Sequence, residues 1–227
     1  MTKDISPNKV ARIAGFLYLL LIPFGCFGGM YIPSITVPGN AVETINNITA
    51  HQMLFRLSII SALITPLVTI LVALFLYKLF KAVNKDQAVL MVIFTVIAAP
   101  IVMLNQLSHF AVLSLLNGTG YLKVSSVDQL HYQVMLFLDL QHHGALITGL
   151  FWGLWLFPMG YLVLKSGFIP KIIGVFLIIA GFGYIIDSAA FFLSPGLNIA
   201  IVPYTFIGEV LMLVWLLFKG GKIPENG

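Results

Sequence analysis

The segment Phe137–Leu146, FLDLQHHGAL, carries an acid and two histidines at helical spacing. On a helix, Asp139 stands three and four residues before His142 and His143, so all three share one face. A carboxylate and imidazoles on a common face could act as an acid–base pair or supply metal ligands. The bland alternative is that they mark the wet end of a helix. A second group, Asn105, Gln106 and His109, has the same one-face spacing. Arg56, Asp187 and Glu209 complete the scarce ionisable residues that lie within long apolar runs.

Those runs dominate the chain. Of its 227 residues, 59% are hydrophobic and 9% charged, against roughly 25% charged in soluble domains. A water-facing surface cannot be covered with so little charge. Six runs meet the ~20-residue requirement for crossing a bilayer. They cover about 13–31, 53–77, 88–116, 136–164, 172–193 and 199–218. The expected fold is therefore all-α, a polytopic bundle of six transmembrane helices forming one domain over residues 1–227. Pro23, Pro66, Pro100 and Pro158 fall inside the first four runs and predict kinks.

Charge placement argues for topology rather than for a nucleic-acid partner. Lys3, Lys9 and Arg12 precede the first run, and Lys78, Lys81 and Lys85 follow the second. Lys165 and Lys171 separate the fourth from the fifth, and Lys219 and Lys222 follow the sixth. Only Arg56 and Lys123 fall on the other side. The positive-inside rule makes the basic side cytoplasmic, with both termini there, and predicts a multi-pass protein of the cell membrane. The first run lacks a small-x-small cleavage site and reads as a span, not a signal peptide. Cys26 is the lone cysteine, which excludes an internal disulfide. Asn47-Ile48-Thr49 and Asn117-Gly118-Thr119 are glycosylation sequons in the outer connections.

The connection from Ile32 to Gln52 is rich in Pro, Asn and Thr and reads as irregular structure. Val127–Leu138 reads as the surface start of a helix that then enters the membrane. Gly25–Gly29 and Gly149–Gly153 are spacings that permit close helix packing.

At ~1.5 Å per residue, the polar groups collect in the outer half. Arg56, Asp139, His142 and His143 are shallow, and His109 lies roughly 12 Å down. Asp187 sits roughly 9–12 Å below its outer helix end, and Glu209 is near mid-membrane. A charge at the bilayer centre costs about 2.5–3.5 kcal/mol on insertion scales, so Glu209 is expected to face the bundle interior. Each group also has a plain structural reading: Arg56 as an interfacial anchor, the histidines as interfacial residues, the three tryptophans as packing.

The chain resembles an uncharacterised bacterial family of multi-pass membrane proteins, the domain-of-unknown-function family 4386. The resemblance rests on Ala11-Arg12-Ile13-Ala14-Gly15 with Tyr18-Leu19, on Leu54-Phe55-Arg56-Leu57, and on Leu76-Tyr77-Lys78-Leu79 with Val83-Asn84-Lys85. Phe137-Leu138-Asp139-Leu140 with Gly144 and Phe151-Trp152-Gly153-Leu154 through Gly160-Tyr161-Leu162 continue it. Lys165-Ser166-Gly167-Phe168-Ile169-Pro170, Gly181-Phe182-Gly183-Tyr184 to Asp187, and Gly208-Glu209 close the set. It implies an inner-membrane bundle and supplies no activity. The family pattern often has acids at the positions of Ala62 and Gln106 and a histidine at Gln141. These departures weaken acid–histidine or metal chemistry and leave Arg56, Asn105, Asp139, Asp187 and Glu209 to carry over.

Three functions compete at this level. In the first, Arg56, Asn105, His109, Asp139, His142, Asp187 and Glu209 line an outward-facing polar pocket for a small molecule, ion or lipid headgroup. In the second, the protein is a structural or regulatory membrane partner without a ligand. In the third, Asp139 and His142 serve an intramembrane lipid hydrolase. No nucleophile motif supports covalent catalysis, and no catalytic residue, cofactor or metal is assigned. The expected partners are the bilayer and a small-molecule or lipid ligand. The sequence does not specify an oligomeric state.

Overall fold

A computed structural model describes residues 6–118, 126–194 and 200–220. Lys3, Thr119, Lys123, Ile199 and Lys222 lie outside the described residues. The described chain is all-helical: α1 Pro7–Ile35, α2 Ala41–Ala50, α3 Gln52–Phe80, α4 Lys85–Leu116, α5 Val127–Ser166, α6 Lys171–Leu193, α7 Val202–Thr205 and α8 Ile207–Lys219. Six stretches are long and apolar enough to cross a membrane, α7 and α8 together making the sixth. The first five contain the corresponding apolar runs of the sequence, and the sixth covers its run from Val202 onward. Large apolar side chains such as Leu67, Leu71 and Leu74, and Leu104 with Leu107, are exposed along the helices. A water-soluble surface would not present such stripes. A surface facing acyl chains does.

Two features depart from the sequence reading. The connection after α1 is not irregular throughout, because it holds α2. Asn40 caps that helix: its Oδ1 accepts from the Glu43 backbone N–H at 3.1 Å, and its Nδ2 donates to Glu43 Oε2 at 2.9 Å. This is an asparagine N-cap reinforced by a side-chain bond to Glu43, hidden by a composition that suggests a loop. Buried Thr44 accepts from the Val37 backbone N–H and donates to the Asn40 carbonyl, both at 2.9 Å. The sequon residue Asn47 therefore lies in a helix, its amide donating to the Ile35 carbonyl at 3.1 Å. The second departure concerns Gly25 and Gly29, around which an added Cβ would meet nothing within 4 Å. Gly28 is the packed one, with the Ala62 backbone 2.6–2.8 Å from where its Cβ would stand.

The helices continue through Pro23, Pro66, Pro100 and Pro158. The chain forms two compact units. The first comprises Met1–Leu20, Leu67–Ala99 and Leu146–Gly227; the second comprises Leu21–Pro66 and Pro100–Ala145. In the second unit, Ile32, Ile48, Phe55, Ile59, Val112, Leu113, Val134 and Leu138 form a buried apolar cluster. In the first, Val72, Leu76, Phe80, Met91, Leu156, Met159, Leu162, Leu177, Met212 and Leu216 are fully or almost fully enclosed.

The α5–α6 pair of the first unit is set by glycines seven residues apart: Gly153, Gly160, Gly167, Gly174 and Gly181. Gly167 has φ +73° and makes the turn, a conformation that glycine adopts without a steric penalty. On either side of it, an added Cβ on Gly153 would come within 2.8 Å of the Gly181 carbonyl oxygen. Gly160 stands in the same relation to the Gly174 carbonyl, also at 2.8 Å. Ser188 donates to the Leu146 carbonyl at 2.9 Å, one heptad further out. Without side chains between them, the two backbones meet directly. Such small-residue contacts are how helices associate where lipid supplies no hydrophobic drive.

Candidate functional site

The first unit buries the carboxyl of Glu209 in full partnership. Gly208 brings the start of α8 against α6, the α6 backbone at Phe176 and Leu177 lying 2.5–2.7 Å from where a Cβ would stand. Gly15 similarly brings α1 against α8, the Leu217 backbone nitrogen lying 2.9 Å from where a Cβ would stand. These approaches place Glu209, in the first turn of α8, between two phenols. Tyr18 of α1 donates to Glu209 Oε2 at 3.1 Å, and Tyr184 of α6 donates to Oε1 at 3.2 Å. Glu209 is 8% exposed and Tyr18 6%. Aromatic rings complete the surroundings: Trp155 meets Tyr18 edge-on at 6.3 Å, and Trp152 meets Tyr184 edge-on at 6.3 Å. Three helices thus converge on one carboxyl group, each of whose oxygens accepts one hydrogen bond. Such an arrangement can hold, accept or release a proton, or present negative charge to a cation.

Asp187 has a different task. Its Oδ1 accepts from the Ile201 N–H at 2.7 Å and its Oδ2 from the Val202 N–H at 3.0 Å. Those are otherwise unbonded donors at the start of α7. A carboxylate there also suits the positive end of a helix. Asp187 is a clasp that returns the chain onto α6.

In the second unit, Arg56, Asp139 and His142 lie on exposed faces. For Arg56 and Asp139 the reason is helical phase. α3 turns Phe55, Ile59 and Ala62 inward and α5 turns Val134 and Leu138 inward, so the residues immediately after Phe55 and Leu138 point away. His142 and His143 lie beside one another, their rings 6.3 Å apart. Asn105 is half-buried and donates through Nδ2 to the Gln141 carbonyl of α5 at 2.7 Å. Its side chain fills the space where Gly144 would carry a Cβ. His109 is 1% exposed and Gln106 3%. His109 donates through Nδ1 to Gln106 Oε1 at 2.9 Å, and its ring packs edge-on against Phe55 at 5.6 Å. Of the five expected residues in this unit, Asn105 and His109 turn toward its interior. Among the described residues, no three His, Cys, Asp or Glu side chains are grouped so as to hold a metal ion.

The sequence reading picked out Glu209 without its partners. Tyr18 and Tyr184 carried a signal all the same, since both stand within the motifs that carry the family resemblance. A tyrosine in an apolar run has no charge to draw attention, and nothing in linear spacing connects residues on three separate helices.

The family model for the domain of unknown function DUF4386 matches residues 13–220, nearly the whole described fold. The chain belongs to the DUF4386 family. A relative from Archaeoglobus fulgidus, itself named only as an uncharacterized protein, is 33% identical over 168 residues. That match covers 74% of this chain and 86% of the relative. No solved structure matches the chain. Within this DUF4386 protein, Tyr18, Gly153, Tyr184, Gly208 and Glu209 all fall inside the matched segment.

Proposed function

We propose that this DUF4386 protein is a multi-pass protein of the cell membrane, with both termini cytoplasmic, that binds and moves a small solute or ion. Glu209 is the group that takes up the ion or the coupling proton. The observation that carries the reading is the buried carboxyl of Glu209, held by Tyr18 and Tyr184 from two other helices. Acids inside spans are costly and characteristically mark ion and proton pathways. Phenols on both oxygens give the proton two neighbouring hydroxyls through which to arrive and leave. The placement of Lys9, Arg12, Lys78, Lys81, Lys85, Lys165, Lys171 and Lys219 supports the orientation.

Proteoliposomes loaded with a pH-sensitive dye and polarised by a potassium gradient with valinomycin test the reading. The wild-type protein should acidify the lumen faster than empty vesicles, and Glu209→Gln should abolish the difference while inserting in equal amount. Wild-type vesicles no faster than empty ones would overturn it. The structural-partner reading would then stand, since Asn105, Asp187 and Ser188 already serve as fasteners. For the orientation, a green fluorescent protein fused after Gly227 should fluoresce in intact cells. A dark but fully expressed fusion would reverse it.

A further inference from the structure

Three buried polar atoms have no hydrogen-bond partner among the described residues: His109 Nε2, Tyr31 Oη and Gln133 Oε1. All three belong to the second unit. Each lies within two turns of a helix end, at Ile35 of α1, Leu116 of α4 and Val127 of α5. Tyr31 packs against the apolar cluster of this unit, and His109 meets its member Phe55.

Buried polar groups in native proteins are nearly always bonded, and each exception calls for a cause. His109 lies inside a membrane-spanning stretch, where water is not at hand to fill the need. The chemistry of the deficit is specific. Gln106 presents an acceptor oxygen to His109 Nδ1, so the ring donates there and its Nε2 is left with a lone pair. Gln133 Oε1 is likewise an acceptor, and the Tyr31 hydroxyl can take either role. What is missing is therefore a donor.

We infer that the second unit binds a molecule carrying an O–H or N–H donor, a hydroxyl- or amine-bearing lipid headgroup or free solute, with His109 Nε2 accepting from it. This site is independent of the Glu209 reading and uses none of its residues. Lipid chemistry offers a clean contrast, since ethanolamine and glycerol headgroups carry such donors and the choline headgroup carries none.

The test is ¹⁵N-histidine NMR of the full chain in nanodiscs. The His109 Nε2 resonance is assigned by its loss in His109→Phe. If that variant does not fold, single substitutions of His51, His131, His142 and His143 assign it by elimination. In phosphatidylcholine alone the resonance should stand at the position of an unbonded ring nitrogen. It should move upfield, saturably, when phosphatidylethanolamine or phosphatidylglycerol is added, which identifies a headgroup. Movement with free ethanolamine or glycerol in phosphatidylcholine discs instead identifies a soluble ligand of the same chemistry. A resonance unchanged across all of these overturns the proposal, leaving water or an unbonded nitrogen.

Discussion

Tyr18 and Glu209 lie 191 residues apart in the chain and are joined by a 3.1 Å hydrogen bond in the interior of the first unit. The bond ties the first long helix to the last. Interhelical hydrogen bonds in membrane proteins average about 0.6 kcal/mol, with a maximum near 1.7. Tyr18→Phe and Tyr184→Phe should each lower stability by an amount in that range, measured by unfolding in a detergent–SDS titration. With Glu209→Gln as the third arm, a double-mutant cycle should give non-additive losses. Strict additivity would mean that the phenols and the carboxyl do not interact in the folded protein.

The α5–α6 seam predicts a sharper effect from a smaller change. Gly160→Ala places a methyl group 2.8 Å from the Gly174 carbonyl oxygen, so the backbones must part. A loss of about 1–3 kcal/mol is expected for overpacking of this kind. Gly25→Ala and Gly29→Ala meet open space and should be neutral or stabilising by up to about 1 kcal/mol, the helix-propensity difference. Melting temperatures of the three variants in detergent decide the matter. Equal shifts would refute the packing account.

Much of this architecture was legible in the chain. Apolar runs long enough to span a bilayer announce themselves, because lipid tolerates no unpaired backbone and so forces helices. Helix α2 was obscured by its Asn- and Thr-rich composition, although Asn40 and Glu43 spell out its cap. The heptad of glycines from Gly153 to Gly181 is also plain in the sequence, beside the shorter Gly149–Gly153 spacing. The candidate site was legible only in part. Scarcity made Glu209 conspicuous, whereas its tyrosines are known only from three-dimensional placement. Exposure of Arg56 and Asp139 depends on helical phase relative to Phe55 and Leu138, a matter of one residue.

Asp187 should behave as a clasp. Asp187→Ala removes both acceptors from the Ile201 and Val202 amides, an effect comparable to losing a helix cap, about 1–2 kcal/mol. Hydrogen–deuterium exchange at those two amides should accelerate, while exchange in the middle of α6 stays unchanged. Asp187→Asn keeps one acceptor oxygen and should fall between the two. Unaltered exchange in Asp187→Ala would show that the amides are protected by something else.

Position relative to the interior separates the remaining polar residues. Arg56→Gln and Asp139→Asn alter exposed side chains and should change stability by no more than about 0.5 kcal/mol. Asn105→Ala removes a 2.7 Å bond to the α5 backbone and empties the space over Gly144; it should cost about 1 kcal/mol or more. Chemical unfolding midpoints compare the three directly. A larger loss at Arg56 than at Asn105 would contradict the placement.

The turn at Gly167 meters the hairpin it closes. Deleting a single residue between Ser166 and Pro170 would roll one arm by about 100° against the other. Gly153, Gly160, Gly174 and Gly181 would then all leave the line of contact at once. That short loop is therefore held to its length, and to glycine at 167, while the seven-residue cadence sets the phase of everything mounted on either arm, Tyr184 and Asp187 included.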